Sequence, residues 1–116
     1  METGDGTRNL LFICSRNQRR SITAERLYDG FPGYTVRSAG TDRGSRIRVT
    51  QDDIEWADFI FVMEDRHLQE LRRKYKGPLH GKRLICLQIP ERYGAMTLEL
   101  RDALRERLSL YVDVPE

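Results

Sequence analysis

Cys14 and Arg20 are separated by five residues, and Ser21 follows the arginine. Residues of these types at that spacing can hold one small anion between them. A loop of this length curls so that its backbone N–H groups point inward. With the first turn of a following helix, those dipoles form a concave site for an oxyanion. Arg20 adds a planar fork that grips two oxygens of a phosphoryl group at once. The same field acts on the thiol. A free cysteine titrates near ~8.5, and a helix N-terminus with neighbouring cations lowers this to roughly 3.5–7.5, so Cys14 is expected as a thiolate at neutral pH. A thiolate beneath a bound phosphate can attack it in line and form a cysteinyl-phosphate. Arg20 and the amides would stabilise charge on the equatorial oxygens, and Ser21 can donate to the sulfur when it leaves.

The intervening residues, Ser15, Arg16, Asn17, Gln18 and Arg19, are the expected phosphate-binding loop together with Arg20. The competing reading is a buried cysteine at a strand end beside a solvated basic loop. The setting favours the anion site, because an apolar run precedes the motif, a helical pattern follows it, and no proline or bulky apolar residue interrupts it.

The elements that must position the motif can be read outward from it. Residues 9–14 form a short, nearly unbroken apolar run, the pattern of a strand covered on both faces. Ser21 is a suitable cap for a helix bearing Ala24, Leu27 and Tyr28, which Gly30 and the Phe31-Pro32-Gly33 turn stop. Residues 34–39 read as a second strand, followed by a basic loop over residues 40–49. Thr50 and Asp53 have the spacing of a helix start. Residues 59–63 are the clearest strand, with aromatic and β-branched residues in one run. Asp65 is the expected cap of a helix carrying Leu68, Leu71 and Tyr75, which Gly77-Pro78 ends. A fourth strand is predicted over residues 84–89, and a last helix from near Thr97 with Leu100, Ala103, Leu104, Leu108 and Tyr111 on one face. Strand and helix alternate throughout, so the class is α/β with a parallel sheet and helices on both faces. Ligands in such sheets bind beyond the carboxyl ends of the strands, where strand order switches, and the loop after Cys14 leaves the first strand there.

The 116 residues fit one domain, expected over residues 9–116 behind a flexible tail of residues 1–8. A net charge of +2 is too small to suggest a nucleic-acid partner by itself. No apolar run approaches the roughly 20 residues of a membrane span, so no membrane partner is expected. The N-terminus lacks the basic-then-apolar plan of a secretory signal, and a cytoplasmic location is expected. The two cysteines, Cys14 and Cys86, are then free thiols. The two histidines, His67 and His80, lie too far from any cysteine pair for zinc spacing, so neither a metal nor another cofactor is expected.

The stretch Cys14-Ser15-Arg16-Asn17-Gln18-Arg19-Arg20-Ser21 resembles the signature loop of the low-molecular-weight protein tyrosine phosphatases. The flanking Leu11-Phe12-Ile13 and Thr23-Ala24-Glu25 are similar to that family too. So are Ser38-Ala39-Gly40-Thr41, Ala57-Asp58, Val62-Met63 and His67-Leu68, and the resemblance spans residues 9–104. It implies a flavodoxin-like three-layer sandwich with a four-stranded parallel sheet in the order 2-1-3-4. It implies a phosphotyrosine-type hydrolase working on a phosphorylated protein or a small phosphomonoester, with inorganic phosphate or sulfate held in the loop. By the same resemblance Asn17 holds the loop in its strained shape and Ser38 supports it from the second strand.

The match breaks at the general acid. The family carries an aspartate after the last strand, usually as Asp-Pro before an aromatic residue, whereas this chain reads Leu87-Gln88-Ile89-Pro90-Glu91-Arg92-Tyr93. Gln88 is the candidate for the vacated place, and an amide gives up no proton at neutral pH. Glu91 is the weak candidate acid, against a reading as a surface carboxylate beside Arg92, and Tyr93 is the candidate wall of the pocket. General acid catalysis contributes typically 10²–10⁴-fold, so a slow enzyme is expected. Arg19 stands where many members have a second cysteine, and Ile22 replaces a usual proline. Trp56 is expected as a core anchor, Glu64 and Asp65 as helix-capping residues or stand-in acids, and His67 on a helix surface.

Three alternatives remain at this point. A non-catalytic phosphate-binding module would keep the loop without the acid. Arsenate reduction needs resolving thiols, and only Cys86 is available. Nucleic-acid binding would draw on Arg16, Arg19, Arg43, Arg46 and Arg48, which can instead rim the pocket and attract anions.

Overall fold

The structure is a computed structural model, and it describes residues 6–116. Strands β1 (Arg8–Cys14), β2 (Tyr34–Gly40), β3 (Phe59–Val62) and β4 (Arg83–Cys86) form one parallel sheet. Its order is β2-β1-β3-β4, as the resemblance implies. Successive β1 side chains alternate between the faces of the sheet. Leu10, Phe12 and Cys14 join one apolar cluster with Leu27 of α1 (Arg20–Leu27) and Leu100, Leu104 and Leu108 of α5 (Leu98–Leu108). Leu11 and Ile13 join the other with Ile54 of α2 (Gln51–Trp56) and Leu71 of α3 (Asp65–Lys74). The near-continuous apolar run of β1 is therefore the consequence of two covered faces. Phe12 stacks on Phe61 with ring centroids 5.6 Å apart, which ties β1 to β3 under the site.

Several boundaries differ from the expected ones. β1 begins at Arg8, inside the expected tail, and residues 1–5 of that tail lie outside the described residues. β4 stops at Cys86 instead of Ile89. Leu87 and Ile89 still donate backbone N–H groups to Val62 and Met63, each at 2.8 Å, but Gln88 between them has φ 59° and interrupts the strand. Pro78 lies inside a four-residue helix, α4 (Lys76–Leu79), where a first-turn proline gives up no helical hydrogen bond. Thr50 and Asp53 do form a reciprocal capping box, and Thr97 caps α5. Glu64, not Asp65, precedes α3 as its flanking residue. Trp56 is half-buried against the second cluster with the Arg37 guanidinium 4.2 Å from its ring centroid.

The chain leaves β1 toward β2 on one side and crosses back to β3 on the other. The segment after Cys14 thus sits at the switch point of the sheet, where a crevice is open beyond the strand ends.

Candidate active site

Four consecutive carbonyls of the loop, from Cys14 to Asn17, are each taken from outside by the segment that follows β2. The Thr41 and Asp42 N–H groups donate to the Cys14 and Ser15 carbonyls at 3.0 and 2.9 Å. Ser45 Oγ also donates to the Ser15 carbonyl, the Arg46 N–H to Arg16, and Arg46 Nε to Asn17. On the other side of the loop the Asn17 N–H points to the Cys14 sulfur at 3.3 Å, and carbonyls held outward in this way are the arrangement that frees loop N–H groups for an oxyanion. Asn17 at φ 57° supplies the left-handed turn, a conformation asparagine tolerates better than most residues. Gly40 lets the segment approach, since a Cβ there would lie 2.6 Å from the Ser15 carbonyl oxygen. Thr41, Asp42, Ser45 and Arg46 of the basic loop after β2 are thus the outer brace of the Cys14 loop. Backbone donors leave no mark in a sequence, and the glycine at the end of β2 is the one residue that signals the close approach.

The Cys14 sulfur accepts the Asn17 N–H at 3.3 Å and lies 3.0 Å from Ser21 Oγ. Asn17 Nδ2 donates to that same Ser21 oxygen at 2.8 Å, which orients the hydroxyl hydrogen toward sulfur. The Ser21 hydroxyl therefore faces the sulfur and is not the helix cap; α1 begins one residue earlier, at Arg20, with Arg19 flanking it. Asn17 is fully buried and its Oδ1 has no hydrogen-bond partner among the described residues. Ser38 lies away from this network: its hydroxyl donates to Glu25, not to the loop.

Arg20 is only 2% exposed, an unusual burial for a guanidinium. Its Nη1 donates to the Glu64 carboxylate and, at 2.7 Å, to the Ile89 carbonyl, leaving the rest of the fork for the cavity it lines. Burial pushes the Glu64 carboxyl up, but hydrogen bonds from Arg20 and Arg66 outweigh it and hold the group below its usual range. Glu64 is thus an ionised anchor for Arg20 and has no proton to give.

His67 is not on a helix surface. It is 1% exposed and sits behind the loop. Its Nδ1 accepts the Glu64 N–H at 3.1 Å, so the ring proton is on Nε2, which donates to Ser15 Oγ at 2.9 Å. Burial first, then the cations Arg20 and Arg66, push the imidazole down to about 4, consistent with this neutral form. The signal available in the sequence was its place three residues after Glu64, where a capping box carries its side-chain acceptor.

A cavity of about 250 Å³ opens over Cys14, lined also by Arg16, Gln18, Arg19, Arg20 and Glu91. Ser15 and Asn17 turn their side chains away from it into the bracing network, and contribute to the loop through their backbones. Among the described residues Glu91 is the one carboxylate on the wall, exposed and 3.4 Å from Arg66 Nη2. Gln88 and Asp65 line a neighbouring hollow with Glu64, and Tyr93 packs against the first apolar cluster instead of walling this cavity. Cys86 is a half-buried free thiol on β4 whose titration burial pushes up, and it does not line the Cys14 cavity. Among the described residues no cluster of three His, Cys, Asp or Glu side chains is placed to hold a metal ion, and no helix is long and apolar enough to cross a membrane.

No family model matches the sequence, and no curated protein matches it. Solved structures do. The low-molecular-weight protein tyrosine phosphatase SP-PTP from Streptococcus pyogenes aligns with a TM-score of 0.74 at 14% identity, over 92% of this chain and 95% of its own. The tyrosine phosphatase Wzb from Escherichia coli K30, solved in complex with phosphate, gives a TM-score of 0.73 at 19% identity over 90% and 96%. The YwlE arginine phosphatase from Geobacillus stearothermophilus gives 0.67 at 20% identity over 89% and 87%. The chain has the fold of the low-molecular-weight protein tyrosine phosphatases.

Proposed function

We propose that the protein is a cysteine-dependent phosphomonoester hydrolase of the low-molecular-weight tyrosine phosphatase kind. One observation carries the reading: the Cys14 sulfur lies at the wall of a cavity that also holds the anchored Arg20, within a loop whose outward carbonyls are all taken. In the first step the Cys14 thiolate attacks phosphorus, the S–P bond forms, and the P–O ester bond breaks. The departing oxygen takes a proton from Glu91 or from water. In the second step water attacks phosphorus, the S–P bond breaks, the sulfur recovers its electron pair with the Ser21 hydroxyl donating to it, and inorganic phosphate leaves. Glu91 must part from Arg66 to serve as the acid. Turnover is slow for poor leaving groups, because the carboxylate on the cavity wall is tethered to Arg66 and the family's aspartate is missing. Two free thiols fit a cytoplasmic location.

A second reading, a phosphate-binding module without turnover, draws on the same ion pair between Glu91 and Arg66. Hydrolysis of two aryl phosphates with well-separated leaving-group pKa values decides between them. The hydrolase reading expects measurable turnover that depends steeply on the leaving group, abolished in Cys14→Ser with phosphate binding retained. Glu91→Gln should lower the rate only for the poorer leaving group. Phosphate bound by the wild-type protein with no product released from either ester would establish the binding module instead.

A further inference from the structure

A second cavity, about 620 Å³, lies beside the first, between the segment after β2 and α3. Its charge is lopsided. Arg43 and Arg48 come from the segment, and Arg66, Arg73 and Lys74 from α3; among the described residues the only acids on its wall are Asp42 and Glu70. Glu70 is shared by Arg73 at 2.8 Å and Lys74 at 3.8 Å, Asp42 lies 3.9 Å from Arg16, and Arg66 is held by Glu64 and Glu91. Arg43 and Arg48 are exposed and have no ion pair or hydrogen bond from their side chains among the described residues. A pocket built with uncompensated guanidinium groups at its mouth is shaped for an anion.

The two cavities share a rim. Arg16 on the first faces Asp42 on the second, and Arg66 on the second holds Glu91 on the first. His67 lines the second cavity while its Nε2 braces Ser15 of the loop. The second cavity therefore adjoins the first across a shared rim. We infer that the cavity bounded by Arg43, Arg48, Arg73 and Lys74 is a subsite for acidic side chains flanking the phosphorylated residue of a protein substrate. The inference rests on the hydrolase reading for the scissile phosphoryl group and adds the class of substrate. A peptide is favoured over a nucleic acid because Asp42 and Glu70 interrupt the basic surface and no Phe, Tyr or Trp lines the cavity to stack a base.

The test compares two phosphopeptides that differ only in their flanks, Asp/Glu against Ala, with p-nitrophenyl phosphate as a substrate too short to reach the subsite. Wild-type protein should prefer the acidic peptide in kcat/KM by about tenfold, the scale of a few partly exposed charge pairs, and lose the preference at roughly 0.5 M salt. The double variant Arg43→Ser/Arg48→Ser should lose it with p-nitrophenyl phosphate turnover unchanged; Lys74→Gln, on the far side of the cavity, should halve it. Equal kcat/KM for the two peptides, or a preference that survives both variants, overturns the inference. The same peptides are titrated by calorimetry against Cys14→Ser protein. A flank preference in Kd without turnover of any ester by the wild-type protein would contradict the hydrolase reading and uphold the subsite. An oligonucleotide that displaces the acidic peptide more tightly than the peptide binds would assign the cavity to nucleic acid instead.

Discussion

The two walls of the Cys14 cavity are built on opposite plans. The loop wall, residues 14–21, buries Cys14, Ser15, Asn17, Arg20 and Ser21, and holds each by hydrogen bonds to another element or across the loop. The facing wall is Glu91, carried on a segment, residues 87–97, that exposes Gln88, Pro90, Glu91 and Arg92 and places both Gln88 and Met96 at positive φ, 59° and 62°. The segment meets the Cys14 cavity through Glu91, a carboxylate tied to Arg66, and it anchors Arg20 through the Ile89 carbonyl. In the proposed chemistry, grip on the oxyanion falls chiefly to the loop wall and protonation of the leaving group to the Glu91 segment. The first is fixed by a dense net that tolerates little change. The second is a surface loop whose exposed side chains can change while the Ile89 carbonyl, a main-chain group, keeps its hold on Arg20.

The sharpest way to break the contrast is to strike the brace without touching the loop. Gly40→Ala drives a Cβ against the Ser15 carbonyl, which is backbone and cannot swing aside. A displacement of about 1 Å at the loop is expected to cost on the order of 10²-fold in kcat/KM, with phosphate affinity falling alongside. Unchanged kinetics in a folded Gly40→Ala protein would show that the segment after β2 does not set the loop.

A second, smaller effect is a pH dependence owed to His67. The unfolded imidazole takes a proton below its usual 6.5, whereas the folded one resists until about 4. Stability is therefore complete above pH 6.5 and is lost progressively as pH falls toward 4. The full loss is about 3 kcal/mol at 1.36 kcal/mol per unit. Urea unfolding at pH 7 and pH 5 should show the decline, and His67→Gln should flatten it. An equal slope in the two proteins would remove His67 as its source.

The segment that carries the facing wall should respond in the opposite sense. Gln88→Gly relieves a left-handed conformation and is expected to stabilise the protein by about 1 kcal/mol while leaving aryl phosphate turnover unchanged. A thermal melt and an initial-rate assay check both halves. A large fall in rate would tie Gln88 to catalysis after all.

How much of this the sequence discloses follows the same division. The β1 run and the capping pair Thr50 and Asp53 are local patterns, and each forms the element it predicts; the spacing of Cys14 and Arg20 is local too, and both residues line one cavity. What stays hidden is nonlocal. The donors that brace the loop are mostly main-chain groups 27 to 30 residues away in sequence, and main-chain groups carry no identity. His67 looks like a polar helix residue until the fold places Ser15 beside it, 52 residues away. Ser38 shows the converse: it sits at the expected place in β2, yet its hydroxyl finds Glu25, 13 residues distant, instead of the loop. The end of β4 was misread because Leu87 and Ile89 are apolar and buried like strand residues, while the break comes from the backbone of Gln88 alone.

The central claim is that the Cys14 sulfur takes the phosphoryl group. Protein denatured rapidly during turnover of an aryl phosphate, then digested and weighed by mass spectrometry, reads this directly. The account predicts one phosphoryl group on the peptide containing Cys14, accumulating before free phosphate, and both signals absent from Cys14→Ala. Phosphate released at an undiminished rate by Cys14→Ala, or a phosphoryl group found on any other residue, would contradict it.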